Sequence, residues 1–459
     1  MGSSAFRFRH LGVAGLAFVA SACAITSPRY QQLSADLAAG PGRAAPVELG
    51  DAPLFVDGPL RLDELVQAVL DRNPDLDAAR AAWQAALARY PQEAALPDPM
   101  VSYSIAPLSI ASSDVRFGQT VEISQSLPWP GKRRLAGELA VAEAAMARAD
   151  VAEVRLRLAA SAAQLYYDYY AATRALEIVA DDVRLLEDEA RLVEARLGVG
   201  QAWQDDALAI DLEVADRRRV SIELGSRRDV AAQAINALLH LRPELPLPPP
   251  PVALAAPGAP VGSLDDAEAA ALVARPELAV LAARADGAAA AVAIADKDQY
   301  PDLRLMGTYT TMFPMLEHQI MVGVGVSLPV WRDRRHAAVD GARAQARRVA
   351  ADRAGAEATI RAEVAEAWRR DAEARDLATL YRDQILPTAE ARIDALVSRL
   401  PSARADVIEI VRARRTVEQA RLAHLQVVAD AWRRRAELDR ARGDLPTAPP
   451  LTDEGDRHE

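Results

Sequence analysis

One cysteine, few aromatic side chains and no long apolar run are the first constraints on this 459-residue chain. A single cysteine excludes an intrachain disulfide. Aromatics are 5% of the residues against 51% hydrophobic overall, which excludes a thick globular core rich in large side chains. Beyond the N-terminus no stretch offers about 20 uninterrupted apolar residues, so no transmembrane helix is expected. A formal charge of −11 leaves no basic stripe to neutralise phosphates, which argues against nucleic acid as a partner. Catalytic signatures are missing too. The six histidines show neither paired metal spacing nor a nucleophile beside them. Gly323 and Gly325 lie in an alternating strand pattern rather than a turn into a helix. Gly131-Lys132 lacks the upstream glycine and the following hydroxyl of a phosphate loop. No enzyme chemistry and no cofactor are expected.

What is present begins with an export pattern. Arg7, Arg9 and His10 precede an apolar run from Leu11 to Ala20, then Ser21-Ala22-Cys23. A basic start, a short apolar core and small residues before the cut describe a secretory signal over 1–22. Ala20-Ser21-Ala22-Cys23 resembles a bacterial lipobox, with Ala where Leu is usual. On that reading Cys23 becomes the first mature residue and carries covalent lipid. Ala24, rather than Asp, then favours the outer membrane. The alternative is an ordinary signal peptide with an incidental cysteine.

The remainder repeats itself. Asn73-Pro74-Asp75-Leu76 returns as Arg275-Pro276-Glu277-Leu278, and Pro97-Asp98 as Pro301-Asp302. Ser126-Leu127-Pro128 returns as Ser327-Leu328-Pro329, and Asp206-Ala207-Leu208 as Asp406-Val407-Ile408. The offsets are 202, 204, 201 and 200 residues, in the same order. That is the signature of a tandem structural repeat. The copies span 59–241 and 263–442. They are joined by a linker over 242–262 that holds four consecutive prolines at 248–251 and reads as a semi-rigid extended connector. Segment 23–58 is expected to be a lipidated tether, and 443–459 a disordered tail.

Each copy reads helix, strand, strand, long helix, tip, helix. The first helix opens near Leu62 and runs to about Leu96, broken or kinked at Pro74. Strands are predicted at Met100–Ile105 and Val115–Leu127, then at Leu303–Thr311 and Gln319–Leu328. In the last of these Ile320, Val322, Val324 and Val326 alternate with Met321, Gly323, Gly325 and Ser327. That period of two suits a strand with one greasy face. Strands of roughly 10 residues are long enough to cross a bilayer at a tilt. Long helices are predicted from about Lys132 to Arg196 and from Asp333 to Arg399, each roughly 100 Å at ~1.5 Å per residue. Ala342-Ala346-Val349 and Ile360-Val364-Ala367 mark seam positions on the second. Tyr166, Tyr167, Tyr169 and Tyr170 are expected where strands meet helices. Four membrane strands cannot close a barrel, and open edges in lipid leave backbone groups unsatisfied at several kcal/mol each. Other copies of the chain must therefore pair with those edges.

Asn73-Pro74, Leu96-Pro97-Asp98-Pro99, the run Gln125-Ser126-Leu127-Pro128-Trp129-Pro130-Gly131-Lys132-Arg133, and Leu328-Pro329 resemble the TolC-like outer-membrane efflux factors. The resemblance covers nearly all of 60–442. Pro128 to Arg133 is most similar to the branch serving heavy-metal resistance pumps (copper/silver or cobalt/zinc/cadmium). The resemblance implies a mainly α fold with a membrane β-barrel portion. Three copies would form a 12-stranded barrel continuous with a long α-helical barrel. It further implies a passive duct in the outer membrane, with the helical barrel in the periplasm. A periplasmic adaptor and an RND-type inner-membrane pump would be its partners, outer-membrane lipid its surroundings, and small solutes, heavy-metal cations among them, its cargo. A structural or adaptor-type periplasmic coiled coil is the competing function, against which the lipid-length hairpins speak.

Several site residues follow from the resemblance. Gly198, Val199 and Gly200 match the adaptor-docking tip, although both glycines also serve to end a helix. The second tip, Arg399-Leu400-Pro401, departs from that pattern. Asp406 and Glu409 resemble the acidic ring of the periplasmic entrance, with Arg404 as their counter-charge. Asp206 is the equivalent in the first copy, where N-capping is the favoured reading. Met312, Met315 and His318, near Met306 and Met321, offer soft metal ligands; the competing reading is apolar loop and barrel packing.

Overall fold

The computed structural model describes residues 27–40, 48–55, 58–106, 118–199, 203–311, 319–398 and 407–450. In chain order the elements are α1 (Pro28–Ala39), α2 (Leu62–Arg72), α3 (Pro74–Leu87), α4 (Arg89–Ala94), β1 (Met100–Ala106), β2 (Gly118–Leu127), α5 (Lys132–Gly198) and α6 (Gln204–Leu238). The second copy follows as α7 (Leu264–Ala274), α8 (Pro276–Lys297), β3 (Leu303–Thr310), β4 (Gln319–Val326), α9 (Arg332–Leu380), a π-helical turn (Tyr381–Ile385), α10 (Leu386–Val397) and α11 (Val407–Arg442). The expected repeat order is present, and the chain forms two compact units.

One unit combines Ala79–Asp150 and Ala279–Gly355 with the N-terminal segment. Its sheet is antiparallel throughout, in the order β1-β2-β3-β4. The central β2–β3 pairing joins one repeat to the other. Register sorts the side chains into two faces. Val101, Tyr103 and Ile105 align with Ile123, Val121 and Gln119; Tyr309, Gly307, Leu305 and Leu303 continue the row to Ile320, Val322, Val324 and Val326. This face is almost wholly apolar, yet Val322 is 85% and Ile320 79% exposed. On the opposite face lie Ser102, Ser104, Thr120, Glu122, Ser124, Ser126, Thr308 and Thr310. Across it the Thr120 and Thr310 hydroxyls lie 3.0 Å apart.

The proline-bounded strand ends are pinned to one another. Asp302, just before β3, accepts hydrogen bonds from the Trp129 N–H at 2.8 Å and the Lys132 ammonium at 3.0 Å. Gly131, at φ +94°, makes the turn from β2 into α5 that lets both donors converge. The Trp129 ring stacks on Tyr300 with centroids 5.2 Å apart, and the Arg133 guanidinium donates to the Ala94 carbonyl. The stretch from Pro128 to Arg133 thus fastens strands to helices.

The other unit holds Val151–Leu278 with the C-terminal helices and α2, and none of the four strands. Its core gathers Leu65 and Val69 of α2, Leu158, Tyr166 and Tyr167 of α5, Ile235 of α6 and Trp432 of α11. Tyr166, Tyr167, Tyr169 and Tyr170 are therefore core residues of this helical unit, which corrects their expected place beside the strands. Repeat symmetry is visible in its bonds. Asn73 donates to the Leu238 carbonyl at 2.9 Å and accepts from the Asp75 N–H at 3.0 Å, capping α3. Its counterpart Arg275 reaches the Ala441 carbonyl at the matching end of α11.

The linker is extended and packed on this core. Its carbonyls accept from Leu60 N–H onto Pro249 at 2.9 Å, Arg174 Nε onto Pro251 at 3.0 Å and Trp432 Nε1 onto Ala255 at 2.8 Å. Arg435, ion-paired at 2.9 Å with the fully buried Asp371, donates to the Gly258 carbonyl.

Several expectations are corrected. The helix expected from Leu62 to Leu96 is three helices. Within the expected tether, α1 is ordered against the strand-bearing unit: Arg29 pairs with Asp286 at 2.6 Å, Tyr30 stacks on Tyr90 at 4.2 Å, and Leu33 is buried. The expected tail begins ordered, with the Thr447 N–H on the Asp439 carboxylate at 2.8 Å. α5 runs unbroken for 67 residues, whereas its counterpart changes pitch at Tyr381–Ile385. Pro387 lacks the N–H that would bond back to Asp383, and its ring crowds that carbonyl. A wider turn, with the Leu386 N–H on the Tyr381 carbonyl, absorbs the misfit. By length and mean hydropathy (1.7) alone α8 could cross a membrane, although it is not an uninterrupted apolar run. Alanines supply about half of that hydropathy, the rest coming from Leu278, Val280, Leu281, Val292 and Ile294, and Arg284 and Asp286 interrupt it.

Asn73→Ala removes both the cap and the bond to α6, so a loss of about 1–2 kcal/mol is expected. A melting temperature equal to the parent's would show that water replaces both bonds at no cost.

Candidate functional site

The tip between α5 and α6 is built by a small apolar cluster. Leu186 and Val193 of α5 pack on Ile210 and Val214 of α6, and Val411 of α11 joins them. Gly198 ends α5, and Val199 follows at 69% exposure with its N–H on the Arg196 carbonyl. Trp203, 79% exposed, opens α6. Its N–H donates to the Asp206 carboxylate at 3.1 Å while the Asp206 N–H donates back to the Trp203 carbonyl at 3.1 Å. Trp203 is thus the N-cap, and Asp206 is the N3 residue of a capping box that closes on it, which corrects the N-cap expected at Asp206. Glu409 is exposed in the first turn of α11, where a carboxylate suits the positive end of the helix. Gly200, Arg404, Asp406, Cys23, Met312, Met315 and His318 lie outside the described residues.

Of the remaining methionines, Met306 packs across two glycines of β4. A Cβ at Gly323 would sit 3.0 Å from Met306 Cγ, and one at Gly325 3.3 Å from its methyl. That is apolar packing. Among the described residues no group of three or more His, Cys, Asp or Glu could hold a metal ion.

Behind the tip lies a charged cluster that sequence reasoning missed. Arg217 of α6 is buried, with Nη2 2.8 Å from Glu418 Oε2 of α11 and 2.9 Å from Glu213 Oε1. Its Nε lies 3.2 Å from Asp182 Oδ2 of α5. One cation thus meets carboxylates from three helices, while Arg415 approaches Glu213 at 3.4 Å and Arg414 pairs with Glu189 at 2.5 Å. Neither Glu418 oxygen accepts a well-aligned hydrogen bond, so Coulomb attraction alone compensates its charge. Burial, then the neighbouring Asp182 charge, push the Glu418 carboxyl up to about 7 against the pull of Arg217. Burial also raises Asp182 and Glu189, opposed by Arg217 and Arg414 respectively. A signal existed in the spacing. Arg217 stands three residues after buried Val214 and seven before buried Leu224, a seam position that should be apolar. Asp182 stands likewise between Val179 and Leu186.

Each repeat contributes one hairpin to the strand-bearing unit and helices to the helical unit. Residues 65–239 and 269–444 each match the family model described as outer membrane efflux protein, and the chain belongs to that family. No curated protein matches it. Among solved structures it is similar to the outer-membrane channel OprN (20% identity, TM-score 0.72, covering 83% of this chain and 89% of that one). It is similar too to CusC (16%, 0.72, 88% and 99%) and to the Neisseria gonorrhoeae MtrE outer membrane channel (18%, 0.71, 88% and 97%). At these identities the likeness is one of fold.

Removing the cation and removing one carboxylate are expected to differ. Arg217→Met leaves the buried Glu418 and the half-buried Asp182 without their cation and is expected to cost about 3–5 kcal/mol. Glu418→Gln leaves Arg217 two partners. Because the folded state holds the Glu418 proton to higher pH than the unfolded chain does, this group makes stability fall as pH rises from about 4.5 to about 7. Melting curves across that range should show a shallower fall in Glu418→Gln than in the parent. Parallel curves would remove Glu418 as the titrating group.

Proposed function

We propose that the chain is the outer-membrane duct of a tripartite exporter, acting as a passive conduit for small solutes. One observation carries this reading: a four-stranded antiparallel sheet with a continuous, exposed apolar face and two edges, β1 and β4, that no strand among the described residues covers. Such a face is stable in hydrocarbon, and such edges are not. Pairing β4 of one copy with β1 of the next satisfies the edges, and three copies close a 12-stranded barrel around the polar face. The long helices of the same three copies form the helical barrel on the periplasmic side.

The remaining assignments rest on resemblance and position. The tip at Gly198, Val199 and Gly200, flanked by exposed Trp203, receives a periplasmic adaptor that couples the duct to an inner-membrane pump of RND type. Asp406 and Glu409, with Arg404, line the entrance, where a carboxylate ring on three-fold symmetry favours cations. Cys23 carries the lipid anchor. Heavy-metal cations enter as cargo on the resemblance of Pro128 to Arg133 alone, a stretch whose side chains are occupied in fastening strands to helices.

The test is to purify the protein in detergent, measure its oligomer mass and record single-channel currents in planar bilayers. A trimer with cation-selective conductance is expected, its selectivity reduced when Asp406 and Glu409 are both changed to Ala. A water-soluble, non-conducting monomer would promote the periplasmic coiled-coil reading instead.

A further inference from the structure

At its helical end the sheet finishes in a rim of aromatic and cationic side chains. Beyond β4 the chain reads Ser327-Leu328-Pro329-Val330-Trp331-Arg332-Asp333-Arg334-Arg335. Leu328 is 73% exposed, Val330 67% and Trp331 73%. Tight backbone turns, with Val330 N–H on the Leu328 carbonyl and Arg332 N–H on the Val330 carbonyl, project these residues in succession. Arg332 and Arg334 are both exposed, and neither has an ion-pair partner among the described residues. That sets them apart from their neighbours. Lys132 is neutralised by Asp298 and Asp302, Arg134 is paired with Glu138, and Arg335 donates to the Asp298 carbonyl. Asp333, between the two free arginines, sits in the first turn of α9, so the stretch keeps net positive charge. Along the same rim, Trp129, Tyr300 and Lys297 form a stack, the Lys297 ammonium lying 5.4 Å from the Tyr300 centroid.

We propose that this rim, centred on Trp331, Arg332 and Arg334, binds the anionic headgroup of a phospholipid in the leaflet at the helical end of the sheet. This rests on the lipid-facing reading of the sheet given above. Three features select that occupant. The exposed apolar row of β4 runs without a break into Leu328, Val330 and Trp331, so acyl chain and headgroup meet one continuous surface. Trp is amphipathic and settles at headgroup depth, with its indole N–H available to polar partners. Two unpaired guanidiniums directly beyond it match a phosphodiester, which Arg recognises through paired N–H donors. A second copy of the chain would cover the apolar row equally well but offers no reason for two unpaired arginines beyond it.

The full-length protein is reconstituted into nanodiscs of phosphatidylethanolamine containing a minor fraction of phosphatidylglycerol, and lipids retained on release are counted by native mass spectrometry. Retained lipid is expected to be enriched in phosphatidylglycerol, and Arg332→Gln/Arg334→Gln, a surface change that spares the fold, to reduce that enrichment roughly tenfold. Fluorescence of the Trp331→Phe variant checks the site: brominated lipids labelled near the headgroup should quench the parent more than the variant. Insertion with no preference for phosphatidylglycerol, or a preference that survives the double substitution, overturns the headgroup site and leaves the duct reading standing. Selective retention of lipopolysaccharide instead assigns the rim to a different leaflet and overturns the proposal. So does a photo-crosslinker at position 331 that captures protein but no lipid. Failure to associate with any bilayer overturns this proposal and the duct reading together.

Discussion

Everything else in this molecule is subordinate to the pairing of β2 with β3. Those strands come from different repeats, so their ladder fuses two short hairpins into one sheet with a single apolar face. A lone hairpin is marginal in water and untenable in hydrocarbon, whereas four strands bury half their edges and present a coherent surface. The ladder also fixes where the two repeats stand beside each other, since β2 leads directly to the Gly131 turn and β3 is entered from Asp302. The Trp129 N–H and Lys132 bonds to Asp302 are the hinge pins of that arrangement.

The helical unit solves a different problem with other means. Its alanine-rich helices approach closely but supply little apolar area per residue, so the large side chains are concentrated around Tyr166, Tyr167 and Trp432. Toward the tip, buried charge takes over. Arg217 ties α5, α6 and α11 together through Asp182, Glu213 and Glu418, and burial makes Asp182 and Glu418 reluctant to ionise. Replacing such a cluster with apolar side chains is often neutral or stabilising, so it defines which helices stay adjacent more than it adds cohesion.

Much of this was legible in the chain, for identifiable reasons. A duplication leaves paired landmarks, and Asn73 and Arg275 hold corresponding helix ends although their side chains differ. Strand alternation read correctly because only one face is apolar, which keeps the period of two clean. Helix breaks read poorly. Pro387 was visible, but a helix can shed one proline's misfit into a π turn and continue, so its presence does not locate an end. The order of α1 was illegible, because it depends on Asp286 and Tyr90, remote in sequence. At the site, residue type placed Asp206 at the start of α6 but not at its N-cap, which Trp203 holds, while the Arg217 cluster lay hidden in a run of three arginines of which one points inward. Tertiary geometry, not composition, chooses which.

The linker between the repeats is assembled so that it accepts hydrogen bonds and has few to give. Around Pro248–Pro251 the carbonyls take donors from Leu60, Tyr169 and Arg174, while the proline nitrogens carry no hydrogen. A ribbon of that kind cannot be extended by a neighbouring strand, because one half of the required ladder is chemically missing. Open sheet edges such as those of β1 and β4 carry the hazard of mispairing with other strands. Proline here supplies a stretch of extended backbone that no wandering edge can join.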